Sequence, residues 1–131
     1  MIGLDTNVMV RYVMQDDARQ SQKAARLIES LNREAPGFVP LVAIVEFAWV
    51  LTSCYELKRE QVAAAIDGIL RAKEFVIDGI EEIVQALRVY RSGSADFADC
   101  LIERSAAAAG CDKTMTFDVA AAKLAGMTLI S

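Results

Sequence analysis

The chain has 131 residues, the size of one domain, and its 54% hydrophobic content with only 2 prolines excludes a disordered polymer and predicts a compact core. A net charge of −4 speaks against an ordinary basic nucleic-acid surface, unless carboxylates hold divalent cations that change the local balance. The absence of histidine excludes His-based acid–base catalysis, Ser-His-Asp triads and most zinc chemistry, and the 3 cysteines form no C-x-x-C pair, so they read as reduced thiols of a cytoplasmic protein.

Met1 to Val10 contains Asp5 and lacks a basic start, so it reads as mature fold and not as a signal peptide. Ile2 to Leu4 is an apolar strand entering Asp5-Thr6-Asn7, any of which can cap a helix from Val8 to about Met14. Asp16-Asp17 opens a second helix to about Asn32, with Ala24, Leu27, Ile28 and Leu31 inward and Lys23, Arg26 and Glu29 outside. Pro36-Gly37 is a turn and Phe38-Val39 a short strand. Leu41 to Tyr55 is a helix apolar almost all round, which predicts burial on most sides, with Phe47 and Trp49 in the core. Pro40 and Glu46 interrupt this stretch, which barely reaches the roughly 18 residues of a membrane span, so no membrane association is expected. Glu46 has no cationic neighbour between Leu41 and Leu51, and an unpaired buried carboxylate costs several kcal/mol, so it must meet a cation or a polar cleft.

Glu60 to Lys73 is amphipathic, Glu74 to Asp78 a strand, and Ile80 to Tyr90 a helix with Ile83, Val84, Leu87 and Tyr90 inward. Next comes SADFADCLIERSAAAAG, a helix whose Asp96, Asp99 and Glu103 at i, i+3 and i+7 stack three carboxylates while Phe97, Leu101 and Ile102 face a core. No Lys or Arg lies three or four residues from Asp99, so a cation from outside the helix would relieve the repulsion. Gly110 ends this helix, and Lys113 to Phe117 is a strand delivering Asp118 at its carboxyl end. A short helix stopped by Gly126 and a last strand at Thr128 complete the chain.

Strands alternating with helices and lacking hairpin signals predict a single α/β domain over residues 1–131, three-layered, with a short parallel sheet covered by helices on both faces. Ligands of such sheets gather at the carboxyl ends of strands, which predicts one acidic cluster of Asp5, Glu46, Asp99 and Asp118 with Asp96 at its edge. Carboxylates with water suit Mg²⁺ or Mn²⁺. Asp5 and Asp118 are equally explained as helix caps, and Asp96 as an acid favoured near a helix start, whereas Asp99 and Glu46 escape that reading.

Four runs in this order resemble the PIN-domain ribonucleases of the VapC toxin type: L-D-T-N at Leu4 to Asn7, V-E-F-A-W-V-L at Val45 to Leu51, D-F-A-D-C-L-I at Asp96 to Ile102, and T-F-D at Thr116 to Asp118 followed by K-L-A-G-M at Lys123 to Met127. The resemblance implies the PIN-like fold and catalytic, metal-binding acids at Asp5, Glu46, Asp99 and Asp118. Asp96 is a further candidate ligand, with Thr6, Asn7 and Thr116 supporting them through hydroxyl or amide groups. It further implies divalent-metal-dependent (Mg²⁺ or Mn²⁺) cleavage of RNA, a homodimer and inhibition by a small cognate antitoxin. Arg11, Lys58, Arg59, Arg88 and Arg91 are then available to meet the RNA backbone. Two alternatives stay open. One is a non-catalytic binding or dimerisation module of the same fold. The other is a metal-dependent phosphatase, which would need a second acid near its nucleophile where this chain has Asn7 and would not require Glu46.

Overall fold

A computed structural model describes all 131 residues, in two compact units, Met1–Asp78 and Gly79–Ser131. The first runs β1 (Ile2–Gly3), α1 (Thr6–Met14), α2 (Ala18–Glu29), β2 (Gly37–Val39), α3 (Leu41–Ser53), α4 (Arg59–Arg71) and β3 (Phe75–Ile77). Its sheet has the order β1-β2-β3 and is parallel throughout, with Ile2 opposite Gly37 and Gly37 opposite Phe75. Parallel neighbours need a long crossover, and each is a pair of helices. The pairing continues past β1, because the Leu4 N–H donates to the Phe38 carbonyl at 2.8 Å, which fixes the backbone up to the residue before Asp5. Gly37 makes this possible. A Cβ there would lie 2.7 Å from Leu4 Cδ1 and 2.9 Å from Leu31 Cδ1, so any side chain would push out two leucines that converge on β2. The sheet's cover thins at both edge strands: Ile2 and Gly3 of β1 are exposed, and in β3 Val76 is exposed between buried Phe75 and Ile77.

α3 departs from its expected burial. Ala43, Ile44, Phe47, Ala48 and Leu51 form one buried stripe, facing the side on which α3 meets α1 and α4. Val42, Glu46 and Trp49, at i, i+4 and i+7, form the opposite stripe, and all three are exposed, Val42 to 66% and Trp49 to 63%. Trp49 therefore lies outside the core, contrary to expectation, while Phe47 is fully buried as expected. The helix is apolar all round because two neighbours cover one side, not because something covers every side.

The second unit contains α5 (Ile80–Ser92), α6 (Phe97–Ala108), β4 (Met115–Thr116), α7 (Val119–Leu124) and β5 (Thr128–Leu129). α5 packs on α6, with Tyr90 and Phe97 edge to face at a centroid distance of 5.7 Å. Val84 and Ile102 were expected inward and are exposed instead; the slimmer Ala86 and Cys100 are buried in their place, while the other inward residues of each stripe stay buried. β4 and β5 pair in parallel, Met115 opposite Thr128. Gly110 and Gly126 adopt φ of 96° and 80° just past α6 and α7, the left-handed stop that a side chain would strain. The architecture is α/β with short parallel strands, as the alternation of elements predicted. No helix is long and apolar enough to cross a membrane.

Truncating Phe47 to Ala should cost about 3–5 kcal/mol in urea denaturation, whereas Val42→Ala should stay within about 0.5 kcal/mol. Equal losses would mean that α3 is covered on both stripes.

Candidate functional site

In the first unit, Asp5 follows β1 in an extended conformation and caps α1, its Oδ1 accepting the Thr6 N–H at 2.8 Å. Thr6 is 6% exposed, and its hydroxyl donates to Glu46 Oε1 at 2.9 Å. This hydroxyl ties the first residue of α1 to the middle of α3, so two acids forty-one positions apart flank one buried threonine. Glu46, expected to need a cation or a polar cleft, is exposed and has this polar partner. The penalty for burying it does not arise, since one oxygen has a hydroxyl donor and the side chain reaches water. α3 is held at its start by a second long-range contact, the Leu41 N–H donating to Asp78 Oδ2 at 3.2 Å. Asn7 is exposed beside Thr6 and makes no hydrogen bond through its side chain.

In the second unit, Asp96 caps α6, and its Oδ1 accepts the N–H of Asp99 at 2.8 Å. Asp118 caps α7 in the same manner, with Oδ1 accepting from the Ala120 and Ala121 N–H groups at 2.8 and 3.3 Å. The Asp118 N–H donates to Thr116 Oγ1 at 3.0 Å, so Thr116 fixes the turn that carries the acid. Asp99 is half-buried in the first turn of α6, and no donor reaches its carboxylate. Burial raises its pKa above the usual carboxylate range, and the charges of Asp96 and Asp118 push it the same way.

Glu103 does not belong to this repulsion. It forms a two-pronged pair with adjacent Arg104, Nε to Oε1 at 2.9 Å and Nη2 to Oε2 at 2.8 Å. A search at helical spacings of three and four misses this neutralising partner, and equally misses Asp118, which comes from another element. The structure thus brings together Asp5, Thr6 and Glu46 in one unit, and Asp96, Asp99, Thr116 and Asp118 in the other.

Neither unit by itself gathers three carboxylate or thiol groups into a ready-made cation cage. Mg²⁺, however, is commonly held by only one or two carboxylates plus water and substrate phosphates. The Asp99 carboxylate, undonated and crowded by Asp96 and Asp118, supplies hard oxygen ligands and a local excess of negative charge, so the donor set fits a hard divalent cation.

Of the five cations expected to meet RNA, Arg11 is engaged within the protein through Nε and Nη1 but not through Nη2. Its Nη1 pairs with Asp16 at 3.1 Å and meets the Tyr55 hydroxyl at 3.1 Å, while Nε donates to Gln20 at 2.7 Å. A different set, Arg19 with the outward Lys23 and Arg26, is placed by the i, i+4, i+7 spacing on one exposed face of α2.

Two stability outcomes follow from this geometry. Thr6→Val keeps the shape and removes the donor, and should cost about 1 kcal/mol, at the low end for a bond to a charged group because Glu46 can turn to water. Asp99→Asn should raise the melting temperature of the metal-free protein at neutral pH. The raised pKa means that Asp99 favours the folded state fully below the ordinary carboxylate pKa and that this contribution is lost as pH rises through the folded value, so the gain in the variant should disappear in acid. Calorimetry across pH reads the sign, and a lower melting temperature for the variant at neutral pH would contradict the crowding.

The PIN domain family model matches residues 2–127, and so runs through both units. A VapC ribonuclease of Aquifex aeolicus (strain VF5) is 24% identical over 115 residues, covering 87% of this chain and 84% of that protein. With a match over nearly its whole length, the chain belongs to the PIN domain family.

Proposed function

We propose that this protein is a divalent-metal-dependent endoribonuclease, the toxin of a bacterial toxin–antitoxin pair, with Asp5, Glu46, Asp99 and Asp118 as the acids of the reaction. The observation that carries this reading is Asp99: a half-buried carboxylate without a donor, crowded by Asp96 and Asp118, in a chain that belongs to the PIN domain family. The ribonuclease activity named for the Aquifex relative supports RNA as the substrate. The 131 residues act as one domain in this reading, in keeping with a family match that spans both units.

Asp99 and Asp118 are the residues of the second unit that would hold Mg²⁺ or Mn²⁺, with Asp96 as a further candidate at the rim; the caps at Asp96 and Asp118 each use one carboxylate oxygen. Bound there, the metal supplies charge neutralisation for the scissile phosphate and lowers the pKa of a water molecule. The chain contributes no histidine and needs no covalent nucleophile. Water adds at phosphorus, the bond to the leaving oxygen breaks, and the strand separates into one end bearing phosphate and one bearing hydroxyl. Thr6 holds one oxygen of Glu46 and leaves the other to accept a proton or orient water; Asp5 likewise keeps one oxygen beyond its cap. Thr116 acts indirectly, by fixing the backbone of Asp118.

A cytoplasmic homodimer countered by a small cognate antitoxin completes the proposal. The exposed apolar stripe of α3, with Val42 and Trp49 on either side of Glu46, supports a protein contact on that face.

Asp5→Asn, Glu46→Gln and Asp99→Asn should each lower RNA cleavage by about 100-fold or more, the size of effect seen when one electrostatic contributor is removed from an active site. EDTA should abolish cleavage, and Glu103→Gln should be mild. The assay is cleavage of RNA by purified protein with Mg²⁺ or Mn²⁺, beside identically prepared variants; unchanged turnover in all three would overturn the assignment.

A further inference from the structure

The strongest positive feature of the first unit lies on α2. α2 carries Arg19, Lys23 and Arg26 and a single acid, Glu29 at its last position, in a protein whose net charge is −4. All three are exposed on one helix face, and none is paired with a carboxylate. Like charges at i, i+4 repel, so the helix does not favour this arrangement for its own stability.

Lys23 also lines a cleft of about 460 Å³ between α1 and α2, where Asn7, Arg11 and Gln20 complete the polar wall and Val8 and Leu27 lie beneath. No carboxylate lines it. Both acids just ahead of α2 are occupied: Asp16 pairs with Arg11 and accepts the Tyr55 hydroxyl at 2.6 Å, and Asp17 caps α2. Arg11 is held rigid by Gln20, Asp16 and Tyr55, and its Nη2 has no partner within the protein. The cleft begins at Asn7, the residue after Thr6, whose hydroxyl holds Glu46.

We propose that this cleft and the Arg19–Lys23–Arg26 ridge form the track along which a single RNA strand is held, Arg11 and Lys23 meeting one backbone phosphate inside the cleft and Arg19 and Arg26 meeting phosphates on either side. The apolar floor takes part of the adjoining nucleoside. At 1.5 Å of rise per residue the ridge is about 10 Å long, enough for more than one phosphate. These are positioning residues: they hold the strand and take no part in breaking the bond. The inference rests on the ribonuclease reading, and the test separates the two.

The probe is a fluorescein-labelled single-stranded RNA of mixed sequence, about 20 nucleotides long, which exceeds the usual site size of such grooves. Its binding is followed by anisotropy in EDTA over a salt series. The variant Arg19→Glu/Lys23→Glu/Arg26→Glu is compared with Arg71→Glu/Lys73→Glu/Lys113→Glu, which has the same net charge with the changes placed elsewhere. The ridge variant should bind about 10-fold or more weakly than this control, and its salt slope should be shallower by about 2, at roughly 0.7 per phosphate contact on a single strand. With metal present, KM should rise in parallel. Lys23→Gln, which changes one charge at an exposed position, should lower the slope by about 0.7 and serves if the triple variant folds poorly.

Equal affinity and slope in the two triple variants would overturn the proposal, as would a wild-type protein that does not bind the RNA. Loss of binding to polyglutamate with RNA affinity intact would also overturn it, giving the ridge to an acidic protein instead. Ridge-dependent binding by a protein that cleaves no RNA in any metal would uphold the track and defeat the ribonuclease reading.

Discussion

An aspartate that caps a helix uses one carboxylate oxygen on backbone N–H groups and keeps the other, and three of the candidate acids are held in this way. Asp5, Asp96 and Asp118 each accept through Oδ1, at the starts of α1, α6 and α7. The cap fixes the position and rotamer of the carboxylate, and the helix dipole favours its charge. What the cap does not do is saturate it. Helix-start aspartates are therefore structural and chemically available at once, and the choice between cap and ligand, evenly balanced in the sequence, was never a choice between exclusive roles.

Asp99 shows the opposite condition. It sits in the first turn of α6 without a donor, half-buried, and with two like charges acting on it. A protein selected for stability alone would place a cation here or a neutral residue. Glu103, four positions on, shows how little is needed, because the adjacent Arg104 neutralises it completely in hydrogen-bonding terms. The contrast on one helix separates an acid that the fold has satisfied from one that it has left for something else, and that contrast is the physical core of the functional reading.

Much of this was legible in the sequence. Every strand and helix was located to within a few residues, since apolar periodicity, Gly stops and Asp caps all report on the local backbone. The four candidate acids were named from the sequence, two of them because capping could not explain them, and the structure places Asp5 and Glu46 about Thr6 in one unit and Asp99 under the charge of Asp118 in the other. What periodicity does not report is how many neighbours cover a helix. Trp49, Val84 and Ile102 looked inward on composition and are exposed, because one packed side suffices for α3 and because Ala86 and Cys100 fit the close approach of α5 to α6 better than larger side chains. Glu46 was noticed for the wrong energetic reason. Its partner, Thr6, lies forty positions away, and no local spacing rule finds a contact that the β1–β2 pairing creates.

Net charge is limited as a guide for a related reason. The total of −4 describes how the molecule migrates, whereas a phosphate at the surface responds to charges within about one Debye length, roughly 8 Å at physiological salt. A total of this kind reports neither the carboxylates crowded around Asp99 in one unit nor the cations along α2 in the other. Where carboxylates crowd, as around Asp99, a divalent cation would lower the repulsion, and where cations share one helix face without partners, as on α2, a polyanion would do the same. A small negative total is compatible with both kinds of patch on one chain, because it records their sum and not their positions.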